Sequence, residues 1–164
     1  MHKAVDIAKY IIEYSMRIGS PVSNLKLQKL LYYVQAAFLT EFNRQCFNEQ
    51  ILAWAYGPVI REVYDEFKIY GREDIPIQDK TQNLNFDYSK IQIVYQSDEA
   101  KLSRQEKNLI DKIVSSYAQV FNPFVLVEKT HSEDPWKNTE IGNEIKPEVI
   151  KEYYSAHREK LYNN

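Results

Sequence analysis

The chain has 164 residues and a mass of 19.4 kDa; 44% of it is hydrophobic and 27% charged, with 21 Lys and Arg against 23 Asp and Glu and one Cys. At this size roughly 70% of the unfolded surface is buried on folding, enough for one sizeable core, and the composition excludes both a disordered polar chain and an apolar run of ~18–20 residues able to span a membrane. The net charge of -2, spread without a basic arm, argues against nucleic acid as the main partner.

The chain starts directly in an amphipathic pattern, without the apolar stretch and small-residue cleavage site of a signal peptide, which predicts a cytoplasmic protein. Ala4, Ile7, Ala8, Ile11, Ile12 and Met16 recur at helical spacing and stop before Gly19, predicting a first helix over about 3–18. Ser23 or Asn24 caps a second helix running to about Phe42, whose Leu27, Leu30, Leu31, Val34 and Phe38 form one stripe; it is the expected central core helix. The apolar and aromatic run Gln50 to Tyr56 favours an extended segment. Gly57-Pro58 then opens a third helix over about 58–70, with Pro58 in its first turn and Gly71 at its end.

The stretch 72–101 is polar and acidic and reads as a loop or insertion, with one weak strand in Lys90 to Tyr95. Order resumes at Ser103-Arg104-Gln105-Glu106, a capping box before Leu109, Ile110, Ile113, Val114 and Tyr117. Asn122-Pro123 opens a short helix to about Thr130, and Lys146-Pro147 opens the last one, carrying Val149, Ile150, Tyr153 and Tyr154. No internal repeat occurs. The sum is a mainly α (α+β) chain, one domain over 1–164 with about six helices and a small β element.

Chemistry-bearing residues are few. Cys46 cannot pair internally, and His2, His131 and His157 lack metal-ligand spacing, so neither a metal nor a cofactor is expected. The densest cluster is Thr130-His131-Ser132-Glu133-Asp134-Pro135-Trp136. A His among carboxylates suits general-base work with Ser132 as nucleophile, but neighbours in sequence rarely supply that geometry. The simpler reading is a helix end at His131 followed by a turn anchored by buried Trp136. Glu62, Asp65 and Glu66, interleaved with Arg61 and Lys68, read as a solvated helix face. Lys26 and Lys29, beside Gln28 and Gln35, lack the Gly-rich loop of a phosphate site and read as the exposed side of the second helix.

Trp54, Tyr56, Gly57 and Pro58 form either a core strand with a corner or a partner-binding edge, since Trp and Tyr bury large amphipathic surface at interfaces. Thirteen tyrosines strengthen the second reading. Tyr32, Tyr33, Tyr64, Tyr70, Tyr153 and Tyr154 cannot all sit deep in an apolar core without hydroxyl partners, which places some of them at a surface groove.

Three blocks in order carry a family resemblance: Leu25-Lys26-Leu27-Gln28-Lys29-Leu30-Leu31-Tyr32-Tyr33, then Ala53-Trp54-Ala55-Tyr56-Gly57-Pro58-Val59 with Tyr64, then Thr130-His131 through Pro135-Trp136. With them the chain resembles the Panacea-domain family of PanA- and SocA-like antitoxins and phage-associated proteins over nearly its whole length, the stretch from Arg72 to Lys101 excepted. The resemblance implies an antitoxin that neutralises a cognate bacterial or prophage toxin by direct contact, or delivers it to a ClpXP-type protease. The expected contact surface is a tyrosine-lined face near Trp54 to Pro58 and Tyr32-Tyr33, with His131 and Trp136 as signature residues. Two alternatives stand beside it: a hydrolytic or nucleotide-processing enzyme using His131, Glu133 and Asp134, and a DNA-binding regulator, for which no helix-turn-helix separates from ordinary helix pairs.

Overall fold

The computed structural model describes residues 1–77 and 101–163. In chain order these form α1 (Ala4–Arg17), α2 (Asn24–Glu41), β1 (Ile51–Trp54), β2 (Gly57–Ile60), α3 (Arg61–Phe67) continued by a 3-10 turn, α4 (Arg104–Ser116), α5 (Pro123–Ser132), α6 (Asp134–Lys137), α7 (Pro147–Ala156) and a closing 3-10 turn, Arg158–Leu161. The protein is mainly helical with one small antiparallel sheet, as its sequence pattern predicts. The expected strand in Lys90 to Tyr95 lies outside the described residues.

Helix ends follow the local chemistry. Gly19, at φ 71°, takes the left-handed conformation just after α1. The Ser23 hydroxyl accepts from Lys26 N at the start of α2. Ser103 and Glu106 complete the capping box of α4, and the Asn122 side chain caps α5 ahead of Pro123.

α2 is the hub, in contact with α1, α3, α4, α5, α7, β2 and the closing 3-10 turn. Surrounded on all sides, it buries every residue from Lys26 to Leu39. The expectation that Lys26 and Lys29 occupy an exposed face is therefore overturned: Lys26 is 4% exposed and Lys29 fully buried. Apolar spacing marks the stripe facing the largest neighbours, and the positions between are covered by other elements that satisfy their polar tips. Lys26 Nζ donates to Val120 O at 2.8 Å. Gln35 Oε1 accepts from Cys46 N at 2.8 Å, and its Nε2 donates to Phe47 O at 3.0 Å, fixing the connection into the sheet.

The third helix starts at Arg61, not Pro58, which lies in β2. The hairpin register pairs Ile51 with Ile60 and Trp54 with Gly57. The outer side of β1 is extended by Asn143 and Ile145: Ala53 N donates to Asn143 O at 2.9 Å and Ile145 N to Ile51 O at 2.8 Å. Among the described residues the outer side of β2 has no strand neighbour, and side chains of α2 take that place. Gln28 Oε1 accepts from Ile60 N at 2.9 Å and Lys29 Nζ donates to Pro58 O at 3.1 Å. Pro58 suits this edge because no backbone donor is required of it. Beyond Gly71, Ile75 is buried and its N–H donates to Val22 O at 2.8 Å, so the start of the polar stretch packs on the core.

Candidate functional site

The three sequence blocks meet in space. α2 brings Lys29, Tyr32 and Tyr33, the hairpin brings Gly57 and Pro58, and α5 brings Thr130 and His131. Gly57 sits at φ 101°, where a Cβ would lie 2.7 Å from Lys29 Cε and 2.8 Å from Thr130 Oγ1, so the position demands glycine on two counts. Burial lowers the Lys29 amine to about 7. The His131 ring stacks on Trp136 at 3.7 Å, and Trp136 Nε1 donates to Trp54 O at 2.9 Å, tying α6 to the hairpin turn. Burial also lowers the His131 pKa, opposed by a hydrogen bond with the Ala55 backbone and assisted by the nearby Lys29 charge. His131 Nε2 is buried without a hydrogen-bond partner. Trp136 is only partly buried; the fully covered residues of this turn are Glu133 and Pro135.

Glu133, 2% exposed, is the centre of a second buried cluster. Its Oε2 accepts from Tyr33 at 3.0 Å and Tyr154 at 2.5 Å, and its Oε1 accepts from Lys129 Nζ at 2.6 Å. Lys129 also lies 4.4 Å from the centre of the Tyr33 ring. The Tyr154 and Tyr32 hydroxyls are 3.3 Å apart, and Tyr117 stacks on Tyr33 at 5.1 Å. Burial raises the pKa of Tyr32, Tyr33, Tyr117 and Tyr154, keeping all four as neutral hydrogen-bonding groups. Tyr32, Tyr33 and Tyr154 are thus core residues, not groove residues. A buried carboxylate serves the hydroxyls that an apolar core would leave unpaired.

The residues of the enzymatic alternative are not assembled. Ser132 is exposed and donates to Lys129 O at 2.7 Å, Asp134 is exposed, Glu133 is engaged with tyrosines, and His131 faces Trp136. No hydrogen bond between Ser132 and His131 exists to activate the hydroxyl. Among the described residues no group of three or more His, Cys, Asp or Glu is placed to hold a metal ion.

The open surface lies beside these clusters. Trp54, half-buried, packs edge-on to Tyr64 at 5.1 Å, under the Arg61 guanidinium at 5.6 Å. Tyr56 is 61% exposed and meets Phe124 edge-on at 5.9 Å. With Leu25, Gln28, Val59 and Ile141 these rings line a groove of about 730 Å³. Lys68 and Arg72 stand in its wall. Of the residues singled out from sequence, Trp54, Tyr56 and Tyr64 line this groove, whereas Lys29, Tyr32, Tyr33, Gly57, Pro58 and His131 do not, and Lys26 lines a smaller neighbouring hollow.

Sequence reading missed Glu133 as a structural anchor and missed Phe124, Ile141, Lys68 and Arg72 in the groove. The available signal for Glu133 was the surplus of tyrosines, which required a buried acceptor. Nothing local in the sequence marks Ile141, which arrives from the extension beside β1.

Among the described residues no helix is long and apolar enough to cross a membrane. No solved structure matches the chain. The chain is similar to Antitoxin SocA of Caulobacter vibrioides (strain NA1000 / CB15N), with 37% identity over 65 residues, 40% of this chain. That match spans 35% of the relative's own length. Residues 27–137, which contain most of the α2 block and all of the other two, match the family described as Antitoxin SocA-like, Panacea domain. The converging signature residues and this match agree: the chain belongs to the SocA-like antitoxin family of Panacea-domain proteins.

Proposed function

We propose that this protein is an antitoxin that neutralises a cognate bacterial or prophage toxin by direct contact, with the groove of Trp54, Tyr56 and Tyr64 as the contact surface. The observation that carries the reading is the division of labour among the aromatic residues. Lys29 and Tyr33 of α2 and Thr130 of α5 are consumed in buried hydrogen bonds, while exposed rings of the hairpin turn and α5 form an open apolar groove. Exposed aromatic surface around a concave site suits partner binding, where Trp and Tyr anchors dominate the energy. The family membership supports the same role, as does the dispersal of Ser132, His131 and Glu133 into separate structural contacts.

The test is growth of cells expressing the adjacent reading frame, with and without this protein, followed by pull-down of the pair. Rescue with a stable complex is expected, and Tyr56→Ala together with Phe124→Ala abolishes both without altering the circular dichroism. Toxicity that persists, with no complex formed, sinks the proposal. Delivery to a ClpXP-type protease, the variant implied by the resemblance, differs in one readout: the toxin disappears in its presence, whereas inhibition leaves the toxin level unchanged.

A further inference from the structure

The charges around the groove are not balanced. Its lining contains two charged side chains, Lys68 and Arg72, and no carboxylate among the described residues. Arg61 adds a third cation over the Trp54 ring. The acids of α3 do not line it: Glu62, Asp65 and Glu66 are exposed, and of these Asp65 pairs with Lys68 beside the groove at 3.0 Å, both side chains being more than half exposed. Such an exposed pair contributes about 0–1 kcal/mol and exchanges readily for a better acceptor.

The shape is extended. A second hollow of about 260 Å³ adjoins the first, shares Ser23 and Pro123 with it, and carries the exposed Phe121 ring on its rim. Its charged groups are Lys26 and Asp74, one of each sign, so the cationic excess belongs to the larger hollow. Two neighbouring hollows fit a run of chain better than one rounded small molecule. The occupant of the larger one needs an apolar body for the Trp54, Tyr64 and Phe124 rings and an anion for Lys68 and Arg72.

We propose that the groove binds an extended segment of the partner protein in which an aromatic or large aliphatic side chain stands beside an Asp or Glu. The apolar side chain fills the aromatic hollow and the carboxylate takes Arg72, with Lys68 turning from Asp65 toward it. This deepens the antitoxin reading and rests on it for the identity of the partner.

The experiment selects short randomised displayed peptides on the full chain and measures the affinity of the selected peptides for wild type and for Lys68→Glu/Arg72→Glu. The expected peptides pair an apolar side chain with an acid; their affinity falls with salt, and the double charge reversal weakens them by roughly tenfold or more. Replacing the peptide's acid by Lys restores binding to the reversed variant. Both substituted side chains are exposed, and an unchanged melting curve checks that the fold is intact. Selected peptides without an acid, or affinities unmoved by charge reversal, overturn the proposal. A dimer of the wild-type chain that Tyr56→Ala dissolves and charge reversal leaves intact also overturns it, since a second copy then fills the groove. Growth rescue scores the antitoxin reading separately. Acid-dependent peptides without rescue remove the toxin and leave the groove chemistry, whereas equal rescue and equal peptide binding by the reversed variant remove the groove chemistry and leave the antitoxin.

Discussion

Lys29 gives the molecule a distinctive dependence on pH. Its amine falls from 10.5 to about 7 because it is buried, with Pro58 O as acceptor. Below pH 7 both folded and unfolded chains hold the proton, and the folded chain bears the cost of a buried charge. Between 7 and 10.5 the unfolded chain holds more protons, so stability rises with pH through that window and is lost as pH falls through 7. Lys29→Met keeps the unbranched shape and removes the titration. Urea denaturation between pH 7 and about 9, below the range of ordinary tyrosine ionisation, is expected to show a rising midpoint for wild type and a flatter one for the variant. Equal slopes refute the assignment. The fate of Lys29 was not legible in the sequence: a lysine at that helical spacing has the composition of a surface position, and its acceptor lies 29 residues away.

At the scale of elements, Glu133 joins α5 to α2 through Tyr33 and to α7 through Tyr154. Glu133→Ala takes the carboxylate from two buried hydroxyls and from the Lys129 ammonium, which keeps only the Lys160 carbonyl, a loss of about 3–5 kcal/mol. Glu133→Gln retains an acceptor for the tyrosines and costs less. Urea denaturation with both variants checks the order, and a Glu133→Ala cost below that of Glu133→Gln would rule out the carboxylate as the tie between these helices. Element boundaries were largely legible, because Gly19, the Ser103 capping box and Asn122-Pro123 act within a few residues of themselves. Pro58 was misread for the same reason. Gly-Pro before an amphipathic run has the local chemistry of a helix start, and only the distant Gln28 and Lys29 make it a strand edge.

Across the whole molecule, Glu106 ties the first residues of the chain and the turn after α2 to the start of α4. It caps α4 through Ser103, and its Oε1 lies 2.9 Å from His2 Nε2 and 2.8 Å from Arg44 Nη2. Burial alone would raise its pKa, but the hydrogen bonds from Arg44, His2 and Ser103 hold it down to about 2. A carboxyl depressed in the folded state contributes stability that is complete above its ordinary value of 4.5 and is lost as pH falls toward 2. Glu106→Gln is expected to be less stable at neutral pH and to lose less on acidification, measured by thermal melts from pH 7 downward. A variant that loses as much as wild type contradicts this. The capping box was legible, but its partners at positions 2 and 44 were not, since only the packing of α1 and the Arg44 turn against α4 brings them there.

The inward direction of the signature side chains has a consequence for how this protein and its relatives diverge. Lys29, Gly57 and Thr130 are packed against one another and Tyr33 is tied to Glu133, so a change at one strains its partners. Tyr56, Phe124, Ile141 and Arg72 lie outside these contacts and face solvent. Drift at these outer positions leaves folding untouched, and chains sharing every hallmark can therefore present quite different faces to the cell. Likeness at the buried hallmark positions measures the shared scaffold, whereas the groove positions, Trp54 and Tyr56 of the second block among them, are where the choice of a partner would be decided when they are exchanged as a set between relatives.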